Sequence, residues 1–173
     1  ISPRGEAFAN QAGELEHGHG HLSVAQVAQG GFDALTLFSR GVISFTDDVT
    51  LQPARSLHLY AGALGLAEGA RADTQVRLAA AHVRLAGYTS LPSPAPGVTS
   101  NELGSTLSSR SEQATLQVDA ALIDVRNTLK FGTGASDART IDRRGFHQVS
   151  LNSSGDLRML KTVGGSDTRL VAP

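Results

Sequence analysis

The chain contains no cysteine and no tryptophan, a single methionine, and aromatic residues at only 5% of its 173 positions. The missing thiols exclude disulfides, zinc–thiolate sites and thiol catalysis together. No apolar run approaches the ~20 residues that cross a bilayer as a helix. Neither sign of charge dominates: 15 Lys and Arg stand against 16 Asp and Glu, for a net charge of −1 and a pI near 6.6. That balance excludes a nucleic-acid binder held by phosphate contacts and a polybasic membrane-surface protein. The length allows one domain and is short for two. With 40% hydrophobic residues, few aromatics and 19 Gly, the core has to be built from Leu, Val, Ile and Ala, packed repetitively. The chain opens on Ile1 and shows no signal-peptide pattern of charge followed by an apolar run. It is read as a segment of something longer, with any targeting signal outside it.

Self-similarity organises what is present. Residues 31–45, from Gly31-Phe32 through Leu35-Thr36-Leu37 to Ile43-Ser44-Phe45, align without gaps on residues 145–159, from Gly145-Phe146 through Val149-Ser150-Leu151 to Leu157-Arg158-Met159. Between them runs a beat of apolar-x-apolar triplets. A first series starts at Leu15, Leu35, Leu57, Val76, Leu116 and Val149, with spacings of 20, 22, 19, 40 and 33 residues. A second follows at Leu22, Ile43, Leu64, Val83, Ile123 and Leu157, and a third at Val49, Leu129 and Val163.

Apolar residues at i and i+2 mark half-buried strands. The run from Val76 to Leu85 tests this, because its Ala, Leu and Arg favour helix. On a helix, Val76 and Leu78 would stand about 200° apart and produce two opposed apolar stripes. As strands, Val76, Leu78, Val83 and Leu85 all point inward and Arg77 and Arg84 point out. Three short strands per ~20 residues predict an all-β, parallel β-solenoid of about six turns, roughly 30 Å long at the inter-strand spacing. Residues 1–173 are then one β-helical segment. It carries an N-terminal tail at 1–14, a Pro- and Ser-rich insertion at 87–112 around Pro92, Pro94 and Pro96, and a polar insertion at 132–144. Unpaired backbone edges are expected at the two ends of the stack.

Few residues suggest chemistry. His17, His19 and His21 alternate, a pattern that suits a divalent metal on one strand face, but the glycines between them favour a solvated turn. Asp47 and Asp48 pair as acid and base do in polysaccharide hydrolases, yet Asp is also an ordinary turn former. Arg143 and Arg144 suit an anion, or simple solvation. Phe38 and Tyr60 fall at equivalent positions three beyond their strand starts and suit an aromatic ladder between turns. There is no G-x-S-x-G, P-loop or G-x-G-x-x-G. The residues assign no catalytic, cofactor or metal site, and the chain is read as a non-enzyme.

Gly31-Phe32-Asp33-Ala34-Leu35-Thr36-Leu37, Ile43-Ser44-Phe45, Leu57-His58-Leu59 with Ala61, Val83-Arg84-Leu85-Ala86-Gly87, Ile123-Asp124-Val125 and Gly145-Phe146 through Leu157 resemble the repeats of filamentous haemagglutinin-like exoproteins. The likeness covers roughly Leu22 to Val163. It implies a right-handed parallel β-helix shaft in a large bacterial surface or secreted protein, exported through an outer-membrane transporter by two-partner secretion. The partners it implies are a host-cell or bacterial receptor or glycan, with no nucleic acid and no membrane insertion. The expected role is adhesion or display of a distal region. The alternatives are a β-helical polysaccharide lyase or hydrolase and the stalk of a contact-dependent inhibition toxin. The Pro-rich insertion and the missing N-terminal secretion domain depart from the family pattern, and no Arg-Gly-Asp sequence is present.

Overall fold

The computed structural model describes residues 1–4, 20–39, 41–87, 109–131, 144–161 and 168–171. Twelve strands and one helix occur among them: α1 (Val24–Gly30), β1 (Ala34–Phe38), β2 (Val42–Phe45), β3 (Val49–Leu51), β4 (Ser56–Tyr60), β5 (Ala63–Leu66), β6 (Gln75–Ala86), β7 (Ser109–Arg110), β8 (Thr115–Arg126), β9 (Thr128–Lys130), β10 (Arg144–Gly145), β11 (Gln148–Leu160) and β12 (Arg169–Val171). The fold is therefore mostly β. One sheet follows the order β1-β4-β6-β8-β11, with β3 also on β6, and every pairing in it is parallel. The second follows β12-β9-β5-β10-β7, with β2 on β5. Its pairings are parallel except for one antiparallel contact between β10 and β5 at Arg144 and Leu66.

Period two decides which side chains meet. β6, β8 and β11 are long strands with two arms, and each arm carries one apolar doublet. Through the second arm run the columns Leu35–Leu57–Val83–Ile123–Leu157 and Leu37–Leu59–Leu85–Val125–Met159. Through the first run Val49–Val76–Leu116–Val149 and Leu51–Leu78–Val118–Leu151. Their middle members are buried, as is Phe45, which packs on Phe146 with ring centroids 6.2 Å apart. Burying an aliphatic side chain stabilises by about 1.5–3 kcal/mol, and one rung alone cannot do so. Stacking therefore forms the core. The strand reading of Val76 to Leu85 holds: all four apolar residues face the core.

The phase of the beat differs from the sequence expectation. Leu57 stacks on Val83, not on Val76, and Val76 stacks on Val49. The second-arm column therefore repeats at 22, 26, 40 and 34 residues. Two arms of one strand carry the same apolar-x-apolar signature, so spacing alone does not separate them. The alignment of 31–45 on 145–159 is likewise not a structural equivalence. Residues 34–45 divide between two sheets as β1 and β2, whereas 148–160 form the single strand β11. Leu35 shares a column with Leu157, not with Val149.

The triplet at Leu22 is not a strand of either sheet; it leads into α1. Ser23 Oγ accepts from Gln26 N at 3.1 Å and Gln26 Oε1 accepts from Ser23 N at 3.0 Å, a complete capping box. Gly31, at φ 62°, closes the helix in the left-handed region. Val27 enters the core, and α1 touches β3. Ser2 pairs with this entry: its N donates to Leu22 O at 3.1 Å and its O accepts from Val24 N at 2.9 Å. Ile1 O accepts from Thr46 N at 3.0 Å. Residues 1–3 and α1 thus cover the start of the stack at β3, whereas β1, among the described residues, pairs with β4 alone and keeps Leu35 and Leu37 half-buried. Of the expected tail at 1–14, residues 5–14 lie outside the described residues, as do Leu15, Val163 and most of both insertions (88–108 and 132–143).

One corner repeats from rung to rung. Ser39 N donates to Tyr60 O, Ala61 N to Ala86 O and Gly87 N to Arg126 O, each at 2.9 Å. At the last of these, Asn127 adopts φ 58° and its Nδ2 donates to Gly87 O at 2.8 Å. A Cβ at Gly87 would lie 1.8 Å from Thr128 O, so only glycine fits there.

Candidate functional site

The outward residue of each second-arm doublet stacks as the columns do. Thr36, His58, Arg84, Asp124 and Arg158 occupy one register position on successive strands. Asp124 is the centre. Its carboxylate accepts from Arg158 Nε at 2.8 Å, lies 3.0 Å from His82 Nε2, and accepts from Arg84 Nη2 at 3.4 Å. These groups cover it completely, although it points away from the apolar core. Burial alone would raise its pKa; the hydrogen bonds from Arg158 and His82 outweigh that and lower it to about 2. Arg84 also donates to Tyr60 Oη at 3.4 Å, and that bond leads the causes that raise its pKa. His58 packs edge-on against His82 at 5.1 Å. Burial, then the charge of Arg84, lowers the pKa of His58.

A second polar ladder lies on the first arm. Asp119 accepts from Arg77 Nε at 2.7 Å and from Gln117 and Asn152 at 2.9 Å. The Asn152 bond, followed by the Gln117 bond, holds its pKa at about 2. Arg77, Asp119 and Asn152 line an open groove of about 860 Å³ where the two arms of the long strands meet. Its floor is Ala79, Ala80, Ala120, Ala121, Ser153 and Ser154. Both carboxylates accept from three side chains and have their pKa values held at about 2, which leaves neither with a proton to give near neutral pH. The arrangement locks neighbouring rungs together.

The sequence candidates fall elsewhere. Asp47 and Asp48 occupy the turn between β2 and β3 and share Arg71, at 3.5 and 2.9 Å, with Asp73, at 3.1 Å. Asp48 Oδ1 also accepts from Gln75 N at 2.8 Å, the leading cause of its lowered pKa. The pair therefore braces one turn against the next. His21 Nε2 lies 2.8 Å from Ser2 Oγ, at the covered start of the stack. His17, His19 and Arg143 lie outside the described residues, and Arg144 donates to Ala70 O. Phe38 and Tyr60 are register neighbours, as expected, but their column continues as Ala86, Arg126 and Leu160, so no aromatic ladder extends beyond them. No cluster of three metal-binding side chains occurs among the described residues, and no helix there is long and apolar enough to cross a membrane.

The Asp124 network escaped sequence reasoning, although a signal existed. The middle residues of Leu57-His58-Leu59, Val83-Arg84-Leu85, Ile123-Asp124-Val125 and Leu157-Arg158-Met159 read His, Arg, Asp, Arg. Correct stacking of the triplets would have revealed it. No protein-family model, curated protein or solved structure matches the chain.

Proposed function

We propose that the chain coils as a right-handed parallel β-helix and serves as a non-catalytic shaft segment of a haemagglutinin-like bacterial exoprotein. In this reading the parent leaves the cell through an outer-membrane transporter. The shaft then holds a distal region away from the surface for adhesion to a host-cell or bacterial receptor or glycan. The observation that carries the reading is the set of four apolar columns in parallel register, buried through their middle rungs. A ladder of this kind resists bending because each rung is hydrogen-bonded and packed on the next. Outside it, the charged groups of the Asp124 and Asp119 networks are spent on one another, which suits a structural face better than a reactive one.

The test is an in-frame deletion of residues 31–161 in the producing bacterium. The expected result is a shorter surface filament by electron microscopy and reduced attachment to target cells. Unchanged filament length and attachment refute the shaft reading. Turnover of an acidic polysaccharide panel by the purified chain refutes the non-catalytic part of it.

A further inference from the structure

The outward positions where β4 meets β6 hold no carboxylate. β4 meets β6 only along the second arm, from Ser56 on His82 to Tyr60 on Ala86, whereas β8 follows β6 along both arms. Ser56, His58 and Tyr60 face outward from β4, opposite His82, Arg84 and Ala86 of β6. His58 stands in register with Arg84 and packs edge-on against His82, with ring centroids 5.1 Å apart. Its Nε2 is enclosed and has no hydrogen-bond partner among the described residues. On its other side β1 places Thr36 in register, which supplies no counter-charge. The side-chain bond across the junction, from Arg84 to Tyr60 Oη at 3.4 Å, brings none either. Asp124 lies two strands from β4, on β8, and already accepts from Arg158, His82 and Arg84. Asp156 lies one strand further, on β11.

We propose that the β4–β6 junction is an acid-sensitive seam, at which a proton on His58 parts the second arm while β6, β8 and β11 stay stacked. The proton sets a positive charge one inter-strand spacing, about 4.8 Å, from the strand that carries Arg84. Like charges directly opposite destabilise a strand pair. Burial first, and the charge of Arg84 second, already hold the pKa of His58 below its ordinary 6.5. The folded chain therefore binds this proton less readily than the unfolded chain. The seam has its full strength above pH 6.5 and weakens as pH falls through the folded value. The next junction behaves differently. Between β6 and β8, Asp124 accepts from His82 and Arg84 across the strands, and with a pKa of about 2 it keeps its charge throughout that range. Both strands of the seam have another strand on their far side, β1 on β4 and β8 on β6, so the seam does not depend on either edge of the sheet. This goes beyond the shaft reading and holds whether or not the parent is an exoprotein.

Hydrogen exchange read by mass spectrometry tests the seam in the full 173-residue chain, at about pH 7.5 and about pH 4.5, with rates corrected for the intrinsic effect of pH. That window stays above the 3.8 of an ordinary Asp, so the carboxylates keep their charge. Protection of β1 and β4 is expected to fall at least about ten-fold at the lower pH, while that of β8 changes less than about two-fold. His58→Gln removes the group that takes the proton, and Thr36→Asp puts a carboxylate in register beside it. Each is expected to hold the fall in β4 below about three-fold. Thr36 is exposed, so its variant decides the matter even where His58→Gln fails to fold. Unchanged protection of β4 at the lower pH overturns the inference. Equal loss in β4 and β8 also overturns it, in favour of acid unfolding of the whole stack. So does an undiminished fall in Thr36→Asp.

Discussion

Truncating the column Leu37–Leu59–Leu85–Val125–Met159 one member at a time should give a profile of cost against rung. Leu85 occupies the middle strand, is fully buried, and is covered by a rung on either side. Leu85→Ala removes its transfer free energy and leaves a cavity that two flanking rungs hold open, so about 3–4 kcal/mol is expected, within the range for buried leucine. Met159 sits on the last rung and is already half in water. Met159→Ala loses about half the apolar contact and creates no closed cavity, so about 1 kcal/mol or less is expected. Leu37, half-buried on the first rung, falls between them. Urea unfolding followed by far-UV circular dichroism measures all three. Leu85→Ala should also lower the slope of the transition, because a weakened middle rung lets the two ends unfold separately. Equal costs at Leu85 and Met159, or less than about 1 kcal/mol at Leu85, would refute a core built by stacking.

Asp124→Asn leaves Arg84 and Arg158 facing each other without their counter-charge. A loss of about 2–3 kcal/mol in the same urea assay is expected, and a double mutant with Arg158→Ala should cost less than the sum of the single changes. Acid should act in two steps. The pKa of His58 is lowered from 6.5, so the folded state binds its proton less readily than the unfolded chain. Its contribution is complete above pH 6.5 and is lost as pH falls through the folded value; His58→Gln should erase this step from a plot of melting temperature against pH. Asp119 and Asp124, at about 2 against 3.8 unfolded, contribute fully above pH 3.8 and lose that contribution as pH falls towards 2. Gly87→Ala should destabilise by about 2 kcal/mol or more, since the added methyl meets the Thr128 carbonyl and the corner backbone has to move; a melting temperature equal to that of the unmodified chain would count against that geometry.

Strands were legible in the sequence wherever a doublet was strict. Val76-Arg77-Leu78 and Val83-Arg84-Leu85 read as strands against their helix propensity because the two-residue period places every aliphatic on one side. The order of stacking was not legible. Val76 and Val83 both answer to the same pattern, and only the backbone decides that one lies under Val49 and the other under Leu57. Asp124 was hidden for that reason: its three partners come from residues 34 to 42 positions away. The helix α1 was a different kind of miss. Ser23 and Gln26, with Gly31 beyond, form a recognisable start and stop, but the apolar Leu22 and Val24 beside them match the strand beat and concealed it.

In the larger sheet the spatial sequence β1-β4-β6-β8-β11 is also the order along the polypeptide. A chain delivered amino end first therefore makes β1 before the layers that stack on it, and each new layer finds its template finished. β4, β6, β8 and β11 each pair with a strand that precedes them in the chain, so growth by successive addition meets no topological obstacle.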